Sequence, residues 1–444
     1  MSSRNIEKEF LSNRELLDEL KYKPSPINLH LYQPPRRLAV SLGNKTGTVF
    51  DITGETSTFP GFNHQITSEA YAPLINRGVL SNINLSWNLY GVTADWMEVF
   101  HPHLIRELKI QIENGAKPPV GDTYLHIILP FLATEHIDML LQISKTVYRE
   151  RWGVEPETIW LPESAVDSNT LTSLAKNGFK GVHLREHQIN GSSANLSALK
   201  TNSGKILSVT GHNHLSGLIG FDKPWADSFF DRWSSSANQL GFSPRISIDG
   251  ETLGHWWKER EGVHQFTDYL LKYLEEGNHG NYLNFNSSNI PDSKLIENTS
   301  WSCMDSGLGR WKGEPDCYCG LPENKWQADC VRTSKKDLFD KLSVCSTRID
   351  NLLDNRLPGW REIYKEWFLS FRLNLAKGLP ITAEFIGDKE LEKLFISAYI
   401  RDLGWTSCGW FFGDVDGFER QIPSNSLRAI AEIMAWPDIE PNQP

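Results

Sequence analysis

The feature that most constrains this chain is an alternation. From Ile27 onward, short apolar segments are separated by stretches with helical spacing: "INLHL" (27–31), "YLHIILP" (124–130), "TIWLP" (158–162), "KGVHL" (180–184) and "RISID" (245–249). Such segments read as buried strands. Strands that alternate with helices need crossover connections, which predicts a parallel sheet or barrel covered by helices. One unit reads in full. Thr158 to Leu161 is strand-like, "PESAVDS" is a loop, "NTLTSLAKNG" carries helical spacing up to Gly178, and "FKGVHL" resumes the strand pattern.

At 444 residues the chain exceeds the size at which one core keeps growing, so a large domain plus a smaller one is expected. Residues 1–26 read as a helical leader closed by the prolines of "KPSP". Residues 27–290 carry the alternating pattern. Residues 291–444 are read as a mainly helical domain, because "KKDLFDKLSVCSTRIDNLLD", "WREIYKEWFLSFRLNLAKG" and "KELEKLFISAYIRDLGW" repeat apolar positions every three to four residues.

Two carboxylates occupy equivalent places in this pattern. Glu163 follows "TIWLP", whose Pro162 removes a backbone donor and ends the strand. Asp249 ends "RISID" ahead of a glycine turn. In parallel barrels the loops past the C-terminal strand ends form the active face. Glu163 and Asp249 would therefore share a cleft, and two carboxylates flanking a cleft are the apparatus of glycoside hydrolysis. Glu251 and Asp167 are rivals on the same loops. His30, His126 and His255 lie in or near strand ends, where an imidazole can orient a hydroxyl or pair with a carboxylate.

Composition narrows the partners. A net charge of −10 with scattered basic residues argues against nucleic acid. No apolar run is long enough to span a bilayer and "MSSRNIEKEF" has no signal-peptide pattern, so the expectation is a cytoplasmic protein with no membrane partner. Cys303, Cys317, Cys319 and Cys330 could supply a four-thiolate metal site, but "CYC" has one intervening residue where structural zinc sites usually have two to four. The sixteen tryptophans suit sugar-stacking platforms and ordinary cores alike.

Taken together and in order, "HLYQP" (30–34), "HIILP" (126–130), "WLPE" (160–163), "IDGETLGH" (248–255), "WSCMDSGLGRW" (301–311) and "TSCGWFFGD" (406–414) resemble the motif regions of glycoside hydrolase family 57. The resemblance implies an incomplete (β/α)7 TIM-like barrel followed by a helical domain that helps close the cleft. It implies a retaining mechanism on α-glucans, with Glu163 as nucleophile, Asp249 as general acid/base, and no metal or organic cofactor. His30, Tyr32, Gln33, His126, Trp160, His255, Trp301, Asp305, Trp311 and Trp410 would shape the substrate subsites. Two positions depart from the pattern: Tyr32 stands where the first motif commonly has a second histidine, and Asp305 where the related branch often shows one.

Two other readings remain open on the residues alone. In one, His30, His126, Asp249 and His255 ligate a metal in a polysaccharide deacetylase-like hydrolase, since imidazole and carboxylate suit zinc. In the other, the cleft binds glycans without turning them over. The oligomeric state is not legible.

Overall fold

The computed structural model describes residues 11–35, 38–40, 48–50, 61–78, 85–191, 195–256, 263–276, 290–314, 317, 321–383, 387–411 and 421–441. The described residues contribute eleven strands: β1 (Ile27–Leu31), β2 (Leu38–Val40), β3 (Thr48–Phe50), β4 (Leu85–Leu89), β5 (Thr158–Trp160), β6 (Gly181–Arg185), β7 (Ile189–Asn190), β8 (Leu196–Thr201), β9 (Gly204–Gly211), β10 (Ile246–Asp249) and β11 (Asp292–Leu295).

Parallel pairing orders β10-β1-β4 on one side and β5-β6-β9 on the other. Every residue of β1, β4 and β6 is buried, as strands covered on both faces must be. The two arcs meet at both ends. On one side the His212 amide donates to Arg245 O at 2.7 Å, joining the end of β9 to β10. On the other, the Val120 amide donates to Trp87 O (2.7 Å), the Gly121 amide to Thr158 O (2.9 Å) and the Trp160 amide to Gly121 O (2.8 Å). Val120 and Gly121 thus stand in for a strand between β4 and β5, which completes a (β/α)7 barrel. β8 hairpins back on β9, and β11 pairs with β8 and β7 outside the barrel.

This corrects one expected strand. "YLHIILP" is not a strand; the strand position lies upstream, at 120–121. The Thr123 carbonyl accepts the His126 amide at 3.0 Å, its hydroxyl accepts the Ile127 amide at 2.9 Å, and His126 turns at φ 55°. The chain then crosses to the helical region, where the Ile128 amide bonds Trp405 O at 3.1 Å. Its apolar residues are buried against helices instead of in a sheet.

Helices Lys325–Arg356, Trp360–Lys377, Lys389–Gly404 and Gln421–Met434 form the C-terminal region. Their buried faces join the core that includes Ile159 and Val182 of the barrel. β11 lies beyond the boundary expected near 290 and is part of the β8 sheet. The described part of the leader is the helix Asn13–Asp18, capped by Ser12 and Glu15 and covering Leu207 and Val209 of β9 through Leu16 and Leu17. Among the described residues no helix is long and apolar enough to cross a membrane.

Candidate active site

Glu163 sits one residue past the strand-ending proline, and its backbone is left-handed. Glu163 and Ser164 both have positive φ, 55° and 46°. For residues with a Cβ this costs on the order of 1–3 kcal/mol each, and it persists only where surrounding contacts over-determine it. Those contacts are present. The Ser164 amide donates to Leu161 O (2.7 Å), the Trp301 amide to Glu163 O (2.8 Å), and Gln188 Nε2 to Ser164 O (2.7 Å). The result turns the Glu163 side chain to segment 301–302, where Oε2 accepts from Trp301 Nε1 at 3.0 Å and from the Ser302 hydroxyl. Two donors on one oxygen fix the orientation of the carboxyl group.

Asp249 is held differently. It closes β10 beside His30 of β1, and among the described residues its carboxyl has no hydrogen-bond partner. Burial, reinforced by the charges of Glu251 and Glu163, pushes it well above the ordinary carboxylate range; Arg185 opposes. Glu251 is the rival the sequence raised, and it is committed elsewhere. Its Oε1 accepts from Gln33 Nε2 at 2.6 Å and from the Tyr71 hydroxyl, and burial pushes it up to about 7. Asp167, the other rival, caps the helix Ser168–Lys176 by accepting the Thr170 amide at 2.7 Å.

Between the strand ends lies a stack of rings. Tyr32 lies 4.2 Å from His126, His126 4.6 Å from His30, and His30 5.5 Å from Trp160, whose far edge meets Trp301 at 5.1 Å. Burial lowers both imidazoles to about 3, so they are neutral at physiological pH. The network fixes the His30 tautomer. Asn88 Nδ2 donates to the carbonyls of Val120 and Gly121, so its Oδ1 must accept, at 2.7 Å, from His30 Nδ1–H. His30 Nε2 is then an acceptor.

His126 Nδ1 meets Asp122 Oδ2 at 2.6 Å, with both groups buried and Asp122 raised well above the ordinary carboxylate range by burial. The short contact orients the His126 ring and leaves Nε2 as its second polar atom. Sequence reasoning missed Asp122. It was findable, because Asp122 follows Val120–Gly121 just as Glu163 and Asp249 follow their strands, but a strand of two residues leaves no periodicity to detect.

The remaining expected residues fall into two groups. Gln33 and His255 support the carboxylate loop: His255 is buried and pairs through Nδ1 with Glu69. Trp311 and Trp410 lie elsewhere. Both are buried in the core of the helical region, Trp410 stacked 5.3 Å from Trp405 with its indole N–H on Gly404 O at 2.9 Å, so neither lines the cleft. Asp305 is exposed.

Of the metal set weighed from the sequence, only His30 and His126 fall within a group of possible ligands among the described residues; Asp249 and His255 do not. His30, Asp122 and His126 instead bring one ligand atom each to within 4.8 Å of one another. Of the four clustered cysteines, Cys303 and Cys317 are buried with sulfurs 3.6 Å apart, Cys330 is exposed, and Cys319 lies outside the described residues.

A family model described as Glycosyl hydrolase family 57 matches residues 25–288. Among solved structures, the chain is similar to an exo-type maltose-forming amylase from Pyrococcus sp. ST04, at 15% identity over 92% of this chain and 79% of that one, with a TM-score of 0.62. It is similar to an α-amylase from Thermotoga maritima at 13% identity over 93% of each chain, with a TM-score of 0.55. A 4-α-glucanotransferase from Thermococcus litoralis matches at 13% identity and a TM-score of 0.55, over 86% of this chain and 60% of that one. At these identities the likeness is one of fold. No curated protein sequence matches.

Proposed function

The chain belongs to glycosyl hydrolase family 57, and from that premise we propose that it is a retaining glycosidase or transglycosylase of α-glucans, with Glu163 as nucleophile and Asp249 as general acid/base. One observation carries the reading: the two carboxyl groups, at the ends of β5 and β10, have opposite environments. Two donors hold the Glu163 carboxyl in place, while burial and the like charges of Glu251 and Glu163 hold Asp249 well above the ordinary carboxylate range. A hydrogen-bonded carboxyl group facing one that burial keeps protonated is the pair that double displacement needs.

The steps follow. Asp249 gives its proton to the glycosidic oxygen as that bond breaks, and Glu163 Oε1 or Oε2 forms a bond to the anomeric carbon. Asp249, now ionised, takes a proton from water or from a sugar hydroxyl, whose oxygen displaces Glu163 and restores the starting state. The neutral imidazoles of His30 and His126 offer ring nitrogens to sugar hydroxyls, Nε2 of His30 as an acceptor. Two solved structures similar to this one are described as a maltose-forming amylase and a 4-α-glucanotransferase, which supports α-glucans as the substrate class.

Trapping tests the nucleophile. A 5-fluoro-α-glucosyl fluoride should label the wild type at a peptide containing Glu163 and leave Glu163→Gln unlabelled; label on another carboxylate would overturn the assignment. The buried His30, Asp122 and His126 group keeps a metal-dependent hydrolase as a second reading. Activity that falls with chelator and returns with zinc would favour it.

A further inference from the structure

We propose that Phe221, Trp225 and Trp256 form a second carbohydrate-binding station at the rim of the cleft, a stacking platform for glucosyl units remote from the bond being cleaved. The inference rests on the α-glucan reading for its ligand class.

The three side chains are 80%, 68% and 49% exposed, in a chain whose other aromatic side chains are largely buried among the described residues. They are tied together. Lys223, between Phe221 and Trp225 in sequence, donates through Nζ to Trp256 O at 3.0 Å. Both segments leave the active end of the barrel: 212–225 follows β9, and 250–256 follows β10 and Asp249. The platform is therefore continuous with the catalytic loop. The Trp256 amide donates to Glu251 O at 3.1 Å, and its ring packs 4.7 Å from His255, which in turn meets Phe62 at 5.6 Å.

The backbone is shaped for display. Leu218–Asp222 is a π-helical turn, and Lys223 caps it in the left-handed region at φ 49°. Such irregular backbone concentrates at functional sites. Here it turns Phe221 into solvent with charged Asp222 and Lys223 beside it, where core packing would bury the ring. Flat aromatic faces interleaved with polar groups suit a sugar chain, which offers apolar ring faces and peripheral hydroxyls. A protein-docking patch of this size would show a dry apolar centre instead.

The test uses Phe221→Ala with Trp225→Ala, two exposed positions outside the catalytic machinery. In native gels containing amylose or glycogen, the full-length Glu163→Gln protein should be retarded, and the same protein carrying the two alanines should lose about tenfold in apparent affinity. With Glu163 intact, the alanine pair should lower kcat/KM on amylose about tenfold while leaving a nitrophenyl α-maltoside within about twofold. Equal losses on long and short substrates, retardation untouched by the alanines, or no retardation by either glucan would each overturn the platform. Self-association that disappears with the alanines, without glycan retardation, would assign the patch to a second copy of the chain and also overturn it. Retardation that the alanine pair weakens, in a protein whose wild type cleaves no α-glucan, would keep the platform and sink the proposed activity.

Discussion

At the scale of the residue, the account turns on which carboxyl holds a proton. Replacing Asp249 by Asn removes the acid and should lower kcat about 10²–10⁴-fold on substrates with poor leaving groups, with a smaller loss on an activated aryl glycoside. Glu251 acts through Asp249. Glu251→Gln withdraws a negative charge beside it, so Asp249 should ionise at lower pH, and the alkaline limb of kcat/KM should move down in pH while the hydrogen bond from Tyr71 is retained. An unmoved limb would show that Glu251 does not tune the acid. Linkage gives a stability counterpart. Asp249 holds its proton more tightly folded than unfolded, so the site stabilises below the unfolded carboxylate range and costs stability as pH rises through the folded value. Asp249→Asn should therefore raise Tm at pH 7, with a gain that fades toward pH 3. Ser302→Ala removes a charge-assisted hydrogen bond from Glu163, worth about 1.5–3 kcal/mol, and should slow turnover roughly ten- to a hundredfold.

At the scale of the element, the site depends on short strands whose ends stop at a common level. β1, β5, β6 and β10 were legible because each is a short apolar run with a clear stop. The position at Val120–Gly121 was not, since the longer run after it, Tyr124–Pro130, has the stronger apolar signal and yet is turned away by Thr123 and His126. The aromatic motif residues show the same limit: a tryptophan in a motif reads alike whether its indole N–H reaches Glu163, as that of Trp301 does, or its ring fills a core, as those of Trp311 and Trp410 do. Glycine at the catalytic loop is a sharper signal. A Cβ on Gly254 would lie 2.1 Å from Glu69 O, a backbone atom that cannot step aside. Gly254→Ala should therefore push the loop off the segment that pairs with His255, lowering Tm by several degrees and activity with it. A variant as stable and active as wild type would contradict this packing.

At the scale of the whole molecule, the barrel supplies the carboxylates and the segment before the helices completes the site. Trp301 and Ser302 reach Glu163, and Arg310 anchors that segment by donating to Ser302 O at 2.9 Å and to Phe411 O at 2.6 Å in the helical region. Arg310→Met should lower kcat more than it raises KM, because it loosens the groups that hold Glu163, the proposed nucleophile. The most direct test of the central claim is the anomeric outcome. With maltooligosaccharide as substrate and NMR recorded before mutarotation, the account predicts that the first reducing end released carries the α configuration, and that Glu163→Gln abolishes it. A first product of β configuration from the wild type would mean direct attack by water and would contradict Glu163 as a covalent nucleophile.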